Sequence, residues 1–540
     1  MQLTESYIAA DGSVDLSEFT VGRLLSERAV SDPDVVALVG RTHDTGVLCR
    51  LTYRQLLGEA QRVAAALCAL TEPGALVGIW AHNIVEWPII QFGAAIAGRV
   101  LVAINPTLRQ SELEYVLRHS GAAVLIHADD VNGYDTAAVA AAAAAAVPTV
   151  VHRISLADRG EWMAAPDAVD TVAFGPDAAD SDAPVMLQYT SGTTGLPKGV
   201  LLRHRSLVNV AKLIIETCEI PQHSVFINPL PLFHTGGCVS AMLGPVWNAG
   251  TAVLVDKFAP ATVLELATAE NADVLFFVPT MLHALLEELR ESPHAAPRFT
   301  ACLGGAANIP RDMIEDATRI FGAHIHNVFG QTELSPVLTV TRRSDSIDDK
   351  LTTIGRPMPQ VEVKIAGPDG TGVAAVGSPG EICARGYQQM IGYYRDPAAT
   401  ASAVDGEGWL HTGDLGSMDS RGFVTLAGRL KEIIISGGEN IAPAEVESRL
   451  GEHELVQQAA VVGVPHPKWG ETVAAVLVLR GDPPHDLIEV LDAHLSTRLT
   501  RFKMPRRWFV ALGLPTTASG KVQKFKLRES IENGELRELT

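Results

Sequence analysis

Short apolar segments alternate with amphipathic segments along most of the chain, from about residue 20 to about residue 430. Val274–Val278 is an uninterrupted apolar run that predicts a buried strand. After Pro279, the apolar residues of Met281–Leu289 recur at the spacing of a helix. Phe299–Leu303 predicts another strand, which ends at two glycines. Because strands and helices alternate in this way, we expect an α/β fold of layered sheets and helices.

The pattern changes after about Gly428. Val456–Val464 and Val473–Leu479 predict two strands, and Leu487–Leu499 predicts an amphipathic helix. The final segment is long enough for a small domain of its own, of α+β type. We therefore expect a large N-terminal domain over residues 1–430 and a small C-terminal domain over residues 431–540.

Composition and charge narrow the class of protein. The chain has 540 residues, of which 47% are hydrophobic and 19% charged, so it can bury more than one sizeable core. Its net charge is −19 and no block is rich in lysine and arginine, so we expect no nucleic-acid partner. The nearly pure alanine tract Ala137–Ala146 predicts a surface helix, because alanine has a high helix propensity and buries little area.

Targeting signals and cysteine usage bear on the location of the protein. The segment Met1–Gly12 has neither a basic start nor an apolar core, so we expect no signal peptide. No uninterrupted apolar run reaches the length of a membrane span, so we expect no transmembrane segment. The six cysteines are scattered without a CxxC pair, which argues against a disulfide framework or a zinc site. These features favour a cytoplasmic location.

A loop between two predicted strands carries the first candidate chemistry. The apolar run Val185–Tyr189 is followed by TSGTTGLPKG at residues 190–199 and then by Val200–Leu202. Glycines let backbone N–H groups approach an anion, hydroxyls add donors, and a lysine adds charge. The loop is not a Walker A motif, because no serine or threonine follows Lys198. A flexible linker would not lie between two apolar strands, so the loop predicts a phosphate-binding site.

This loop resembles the signature of the acyl-adenylate-forming superfamily, which includes acyl-CoA synthetases, firefly-type luciferases and peptide adenylation domains. Six further segments resemble other motifs of the superfamily, in the same order. They are PLFHTGG at 231–237, GGAA at 304–307, NVFGQTE at 327–333, WLHTGD at 409–414, GRLKE at 428–432 and TTASGK at 516–521. The resemblance covers nearly the whole chain and implies that the small C-terminal domain is a mobile lid.

The resemblance implies a reaction in which a carboxylate joins the α-phosphorus of ATP and pyrophosphate leaves. Because two anions must meet, catalysis should consist largely of charge neutralisation and positioning. The residues implied at the β- and γ-phosphates are Thr190, Ser191, Gly192, Thr193, Thr194, Gly195 and Lys198. A Mg²⁺ ion is implied, with Glu333 as its carboxylate ligand and Thr332 on the phosphate. Lys521 is implied as the catalytic residue of adenylation, because an ammonium group can reach both anions.

The remaining nucleotide contacts are also implied by the resemblance. Asp414 and Arg429 would contact the ribose. Phe329 would stack on adenine and Asn327 would recognise its edge. Four further residues of the same motifs complete the nucleotide site: Gly305, Ala306, Gly330 and Gln331. The sequence departs from many relatives in having Phe329 in place of tyrosine, and Leu426 where an aromatic residue is common.

The acyl and thiol sites follow from the same resemblance. His234 is implied at the acyl pocket, where it would orient the carboxylate or gate the thiol route, although a core histidine is the alternative. The other implied residues of the acyl pocket are Gly237, Cys238 and Gly305. Lys431 resembles the hinge between the domains. Gly437, Gly438 and Glu439 resemble a loop that helps to form the pantetheine tunnel of acyl-CoA synthetases, which favours coenzyme A as the acceptor.

The leading interpretation is a carboxylate–CoA ligase that forms AMP and acts on a medium- or long-chain fatty acid. The segment TELSPV at 332–337 resembles medium-chain members. Aryl, alicyclic and sterol-derived acids stay open as substrates, and a homodimer stays open as the oligomeric state. A stand-alone enzyme that loads an acyl carrier protein is the second hypothesis; a fused carrier is not expected, since the chain stops at Thr540.

Two hypotheses from other classes are disfavoured. A non-enzymatic sensor of AMP or acyl-adenylate should lack catalytic groups, but Lys198, Glu333 and Lys521 are all present. A nicotinamide oxidoreductase should carry a GxGxxG segment after an early strand, and the sequence has none.

Overall fold

The computed structural model describes most of the chain, in two compact units. The described residues are 2–165, 180–190, 197–291, 296–305, 309, 311–367, 370–429, 432–436, 439–467, 469–481, 484–517 and 522–539. The larger unit comprises Ala9–Glu362 and Arg385–Leu410. The smaller unit comprises Met1–Ile8, Val363–Ala384 and His411–Thr540. The domain boundary between residues 430 and 431, expected from the sequence, stays a prediction.

A nine-stranded sheet forms one layer of the larger unit. In spatial order its strands are Arg356–Pro357, Thr339–Val340, His324–Phe329, Ala301–Gly305, Val274–Phe277, Val225–Asn228, Thr251–Leu254, Val36–Arg41 and Leu48–Thr52. The central strands are parallel. Val274–Phe277 is buried along its whole length, which confirms the strand predicted from the apolar run. The strand predicted from Phe299 begins at Ala301, and Phe299 packs on Phe321 with ring centroids 5.2 Å apart.

A seven-stranded sheet forms the second layer. In spatial order its strands are Gly392–Tyr393, Lys198–Arg203, Pro184–Thr190, Val100–Ile104, Leu76–Trp80, Val124–His127 and His152–Ser155. The strands Pro184–Thr190 and Lys198–Arg203 form an antiparallel hairpin, as predicted around the glycine-rich loop. Pro184–Thr190 runs parallel to its other neighbour, so the loop follows the carboxyl end of a parallel strand. A small two-stranded sheet joins Asp130–Val131 and Tyr134–Asp135.

Helices cover the sheets of the larger unit. They are Val21–Ser31, Tyr53–Leu70, Glu86–Ile96, Gln110–Ser120, Thr136–Ala146, Arg159–Trp162, His204–Thr217, Ala241–Trp247, Pro260–Ala269, Pro279–Glu291, Arg311–Phe321, Ile347–Thr352 and Pro397–Ala403. The helix predicted after Pro279 is confirmed and buries Leu282, Leu285 and Leu286 on one face. The alanine tract forms the predicted surface helix, which buries a narrow stripe at Ala140 and Ala143. Among the described residues, no helix combines the length and apolar character needed to cross a bilayer.

Two sheets belong mainly to the smaller unit; three strands of the first begin or end in residues of the larger unit. The five-stranded sheet has the order Tyr7–Ile8, Val361–Ile365, Gly380–Gly386, Leu410–Met418 and Val424–Arg429. The other sheet has the order Glu439–Ile441, Ile434–Ser436, Gly470–Leu479, Arg507–Val510 and Arg537–Leu539, with Val456–His466 paired to Gly470–Leu479. The helices of this unit are Pro443–Gly451, Leu487–Ser496 and Lys524–Glu532.

The C-terminal sheet buries both of its faces. Leu491 and Leu495 of one helix lie in the hydrophobic core on one face, and Leu527 and Ile531 of another helix lie in the core on the other. The two strands and the helix predicted for this region are confirmed, although the helix ends at Ser496. The molecule is therefore the mixed α/β protein that the sequence predicts.

Candidate active site

The hairpin brings together the two ends of the segment predicted to bind phosphate. Thr190 and Lys198 are paired across the two strands, and the Thr190 hydroxyl donates to the Lys198 carbonyl at 3.4 Å. The Lys198 side chain is exposed, and no carboxylate of the described residues lies within ion-pairing distance of its ammonium group. A cation without a counter-ion at the mouth of such a loop is suited to bind an anion. Residues 191–196, which include Ser191, Gly192, Thr193, Thr194 and Gly195, lie outside the described residues.

Tyr393 connects Lys198 to Glu333. It lies on a two-residue strand that pairs with Lys198–Arg203, and the Lys198 ammonium nitrogen lies 4.6 Å from the centroid of its ring. The Tyr393 hydroxyl donates to Glu333 Oε1 at 2.8 Å. Burial, and after it the neighbouring Glu333 carboxylate, raise the pKa of Tyr393, so the hydroxyl keeps its proton and acts as a donor.

Sequence reasoning missed Tyr393. Its segment, GYY at residues 392–394, belongs to none of the motif segments named above. The pairing of Tyr393 with Val200 across the sheet is what brings it to the loop. The Met390 N–H also donates to the Glu333 carbonyl at 2.9 Å, which ties the same segment to the candidate metal ligand. The position of Tyr393 between Lys198 and Glu333 becomes visible only once the strands are paired.

The candidate adenine site lies where two adjacent parallel strands end. Gly304 pairs with Asn327 and Gly305 pairs with Val328. Ligands bind beyond the carboxyl ends of parallel strands in open α/β sheets, and these strands place Gly305, Asn327 and Phe329 at one such edge. The Asn327 side-chain amide donates to the Thr353 carbonyl at 3.2 Å, and its Oδ1 has no partner in the described part of the chain. Ala306 lies outside the described residues.

Glycine is required at two positions of this edge. A Cβ added to Gly305 would lie 1.8 Å from the Val328 carbonyl oxygen. A Cβ added to Gly330 would lie 1.9 Å from the Pro336 carbonyl oxygen. Both obstacles are backbone atoms, which cannot move as a flexible side chain can. Beyond Gly330, Gln331 precedes a short 3₁₀ helix, Thr332–Leu334, which carries the implied phosphate contact and the implied metal ligand.

His234 is a neutral imidazole in an apolar setting. Its ring lies against that of Phe233, with centroids 4.4 Å apart. Burial lowers the pKa of His234 to about 4, so the imidazole carries no charge at neutral pH. Its ring nitrogens form no hydrogen bond with the described residues. His234 is only half-buried, and its ring nitrogens are not among the buried atoms without a partner, so they are open to solvent or a ligand, unlike those of a core histidine.

The residues after His234 form a turn of π-helix, Gly236–Ser240, a local geometry that is frequent at functional sites. A Cβ added to Gly237 would lie 2.2 Å from the Pro231 carbonyl oxygen. Cys238 is fully buried, and Gln188 Nε2 donates to its Sγ at 3.4 Å. Burial raises the pKa of the Cys238 thiol, so it stays protonated.

Asn83 holds the segment that precedes His234. Its Nδ2 donates to the carbonyls of Leu230 at 2.9 Å and Val255 at 3.1 Å. Its Oδ1 accepts from the Leu232 N–H at 2.9 Å. Asn83 is buried, so all three backbone groups would lose a partner together if it were replaced. No sequence pattern singles out this asparagine, which lies far from the PLFHTGG segment along the chain.

We expect Asn83→Leu to lower the free energy of unfolding by about 3 kcal/mol, because it leaves buried backbone groups without partners. Urea denaturation measures this effect. The exposed Asn533 at the end of the last helix provides the control, and Asn533→Ala should change stability by less than about 0.5 kcal/mol. Equal midpoints for Asn83→Leu and the unmodified protein would contradict this interpretation.

The smaller unit carries the two residues implied at the ribose. Asp414 and Arg429 are paired across neighbouring antiparallel strands. Arg429 Nε donates to Asp414 Oδ1 at 2.9 Å, and Asp414 is buried. Glu381 supports the same loop, because it accepts from the Gly413 N–H at 2.9 Å and its other oxygen lies 2.7 Å from Nδ1 of His411. Glu381 is a further residue that sequence reasoning missed.

We expect Asp414→Asn to raise the KM for ATP at least about tenfold, because it removes the charge that Arg429 and the ribose would share. The initial rate as a function of ATP concentration measures this effect. Asp419 lies in the turn of the same hairpin and pairs with Arg421 at 2.8 Å, so Asp419→Asn serves as the control. A similar KM for both variants would exclude Asp414 from the nucleotide site.

Four further implied residues, besides those of the glycine-rich loop and Ala306, lie outside the described part of the chain. They are Lys431, Gly437, Gly438 and Lys521. Glu439 begins the strand Glu439–Ile441 and pairs with Ser436 of the antiparallel strand Ile434–Ser436. The roles of these residues as hinge, thiol-site loop and catalytic lysine stay predictions.

Two protein-family models match separate regions of the chain. Residues 25–394 match the family model described as AMP-binding enzyme. Residues 445–521 match the model described as AMP-binding enzyme C-terminal domain.

Named relatives extend over almost the full chain. A putative acyl-CoA synthetase of Bacillus subtilis, YngI, is 35% identical over 95% of this chain and 97% of its own. The mitochondrial medium-chain acyl-CoA ligase ACSF2 of Homo sapiens is 31% identical over 98% of this chain and 90% of its own. The ATP-bound crystal structure of MatB from Rhodopseudomonas palustris superposes with a TM-score of 0.83, at 28% identity, over 95% of this chain and 99% of that one.

Proposed function

The chain belongs to the AMP-binding enzyme family and is an AMP-forming acyl-CoA synthetase, and we propose that it activates a medium- or long-chain fatty acid. ATP and coenzyme A are its co-substrates. The observation that carries the choice of acid is the similarity, over 98% of the chain, to a ligase named for medium-chain acids. The segment 332–337, which follows the candidate adenine residues, supports the same choice by its resemblance to medium-chain members.

In the first half-reaction, a carboxylate oxygen of the acid attacks the α-phosphorus of ATP. The bond from that phosphorus to the leaving pyrophosphate breaks, and acyl-AMP forms. Lys198 and the loop from Thr190 bind the departing phosphates. The ammonium group of Lys198 is exposed and can therefore donate hydrogen bonds to the phosphate oxygens. Lys521 neutralises the charge that accumulates between the carboxylate and the α-phosphoryl group.

The chemistry around Glu333 fits a magnesium ion. Its Oε1 accepts from Tyr393, and its Oε2 has no hydrogen-bond partner in the described part of the chain. A carboxylate that offers an oxygen beside a phosphate loop is the kind of ligand that Mg²⁺ prefers. When bound, the ion supplies charge neutralisation on the phosphate oxygens. Thr332 lies beside Glu333 on the same 3₁₀ helix and contributes a hydroxyl to the phosphate.

Four side chains are assigned to the nucleoside. Phe329 stacks on the adenine, Asn327 recognises its edge, and Asp414 with Arg429 binds the ribose. Gly305, at the edge of the nine-stranded sheet, is assigned to the wall of this site together with Gly330 and Gln331. The resemblance implies the same role for Ala306, which lies outside the described residues. Leucine at position 426 removes an aromatic contact to the ribose that relatives often have.

In the second half-reaction, the thiol of coenzyme A attacks the acyl carbonyl, and AMP leaves with the former carboxylate oxygen. His234 is neutral at working pH, so it can orient the acyl carboxylate without forming an ion pair with it. Gly237 and Cys238 line the acyl site with His234, and Gly437, Gly438 and Glu439 line the thiol route. Rotation at Lys431 withdraws Lys521 before the thiol attacks. Six free cysteines support a reducing compartment, and a cytoplasmic location is part of this proposal.

A pyrophosphate-release assay over a panel of acids tests the proposal. We expect the highest kcat/KM for straight-chain acids of medium or long length, and we expect thioester formation with coenzyme A. Benzoate, cyclohexanecarboxylate and a sterol-derived acid test the aryl, alicyclic and sterol alternatives. A phosphopantetheinylated carrier protein tests the second hypothesis. Faster transfer to the carrier than to coenzyme A would overturn the proposed acceptor.

A further inference from the structure

We propose that Tyr393 is a positioning residue, which holds Lys198 and Glu333 apart and presents Glu333 to the metal–ATP complex. The inference rests on the proposed function and adds a residue to that site. Tyr393 offers different chemistry to its two neighbours: the ring face to the ammonium group of Lys198 and the hydroxyl to the carboxylate of Glu333. No motif implied by the resemblance includes Tyr393.

The separation of the two charges is the first part of the inference. Lys198 and Glu333 carry opposite charges next to the same phosphate-binding loop, yet they form no ion pair with each other. A direct ion pair would consume the charges that ATP and the metal need, and it would have to break on binding. The ring of Tyr393 contacts Lys198 through a cation–π interaction, which leaves the positive charge available.

The orientation of Glu333 is the second part. The Tyr393 hydroxyl occupies Oε1 and leaves Oε2 for another ligand. The Tyr393 backbone is fixed by its pairing with Val200, and the Met390 N–H holds the Glu333 backbone at 2.9 Å. Both ends of the hydrogen bond are therefore anchored to the same edge of the seven-stranded sheet, and the carboxylate rotamer is restricted before any ligand arrives.

Two substitutions separate the roles of ring and hydroxyl. Tyr393→Phe keeps the ring face for Lys198 and removes the hydrogen bond to Glu333. Tyr393→Leu removes both and allows Lys198 to approach Glu333. We expect Tyr393→Phe to weaken metal binding about tenfold, the size of a lost hydrogen bond to a charged group, with nucleotide affinity in the absence of metal unchanged. We expect Tyr393→Leu to weaken both metal binding and the metal-free affinity for nucleotide, because Lys198 can then pair with Glu333.

The measurement is equilibrium binding by the full chain without acid or coenzyme A. Mn²⁺ replaces Mg²⁺ and is followed by electron paramagnetic resonance in the presence of α,β-methylene-ATP, which cannot form acyl-AMP. Binding of the same analogue in EDTA is measured by titration calorimetry. Tyr394→Phe is the matched control, because the ring of Tyr394 lies 6.2 Å from that of His119 and not against Glu333. Thermal unfolding of each variant reports stability.

Each outcome decides a separate question. Weakened Mn²⁺ binding in Tyr393→Phe alone, with an unchanged unfolding midpoint, supports the inference. Unchanged Mn²⁺ binding in Tyr393→Phe overturns it, and so does an equal loss in Tyr394→Phe, since that would reflect general destabilisation. An unmodified chain that binds neither the analogue nor Mn²⁺ would overturn the proposed function itself, together with the inference.

Discussion

The Lys521→Ala variant is expected to lose acyl-adenylate formation by about a hundredfold or more, the range found when one preorganised charge-stabilising group is removed. The reason is electrostatic: without this ammonium group, a carboxylate must approach the α-phosphoryl group of ATP unassisted. The same variant should convert supplied acyl-AMP to thioester at nearly the normal rate. In that step the thiol attacks the acyl carbonyl, so no carboxylate has to approach a negatively charged phosphoryl group. Acid-dependent pyrophosphate–ATP exchange measures the first step, and thioester formation from synthetic acyl-AMP measures the second.

Lys526 provides the control for this prediction. It lies on the helix Lys524–Glu532, is exposed, and contacts the ring of Phe525 at 6.0 Å. Lys526→Ala removes the same charge from the same region of the sequence and should leave both rates unchanged. An equal loss of adenylation and thioester formation in Lys521→Ala would contradict the prediction that Lys521 serves only the first step. Equal rates for Lys521→Ala and Lys526→Ala would contradict a catalytic role for Lys521.

Gly305→Ala is expected to give the second large effect. The added Cβ would lie 1.8 Å from the Val328 carbonyl oxygen on the adjacent parallel strand. The strands must separate to admit it, at a cost of about 3 kcal/mol in unfolding free energy, the upper end for overpacking. Because the same edge forms the proposed adenine site, the remaining folded protein should also show a raised KM for ATP. Chemical denaturation and ATP titrations measure the two effects.

Gly58 is the matched control for that glycine. It lies inside the helix Tyr53–Leu70, and a Cβ added there meets no atom within 4 Å. Gly58→Ala should raise the free energy of unfolding by about 0.5–1 kcal/mol, because alanine favours a helix interior over glycine. A Gly305→Ala variant as stable as Gly58→Ala would show that the strand edge can open freely.

Local sequence pattern predicts the elements of the site and several of its residues. The apolar runs around the phosphate loop predict a strand, a loop and a strand, and the structure has the hairpin Pro184–Thr190 and Lys198–Arg203. The order of motifs implies ribose roles for Asp414 and Arg429 but does not predict that the two side chains contact each other. They meet because the antiparallel register pairs them directly. The local sequence therefore indicates which residues are candidates for the site, whereas the strand register determines which of them are in contact.

Residues that act through long-range contacts could not be predicted. Asn83 contacts Leu230 across 147 positions of sequence, and Tyr393 contacts Glu333 across 60. The strand Tyr7–Ile8 pairs with a strand that begins at Val361, and nothing in its composition indicates that partner. Each of these contacts depends on sheet pairing, which periodicity alone does not determine.

The fate of the carboxylate oxygen tests the central claim most directly. A medium-chain fatty acid labelled with ¹⁸O in both carboxylate positions is incubated with the enzyme, ATP, Mg²⁺ and coenzyme A, and the products are analysed by mass spectrometry. Attack on the α-phosphorus predicts that AMP carries one heavy oxygen, and that unlabelled pyrophosphate and an acyl-CoA with the other heavy oxygen accompany it. Heavy oxygen in inorganic phosphate, with ADP as the nucleotide product, would contradict the account.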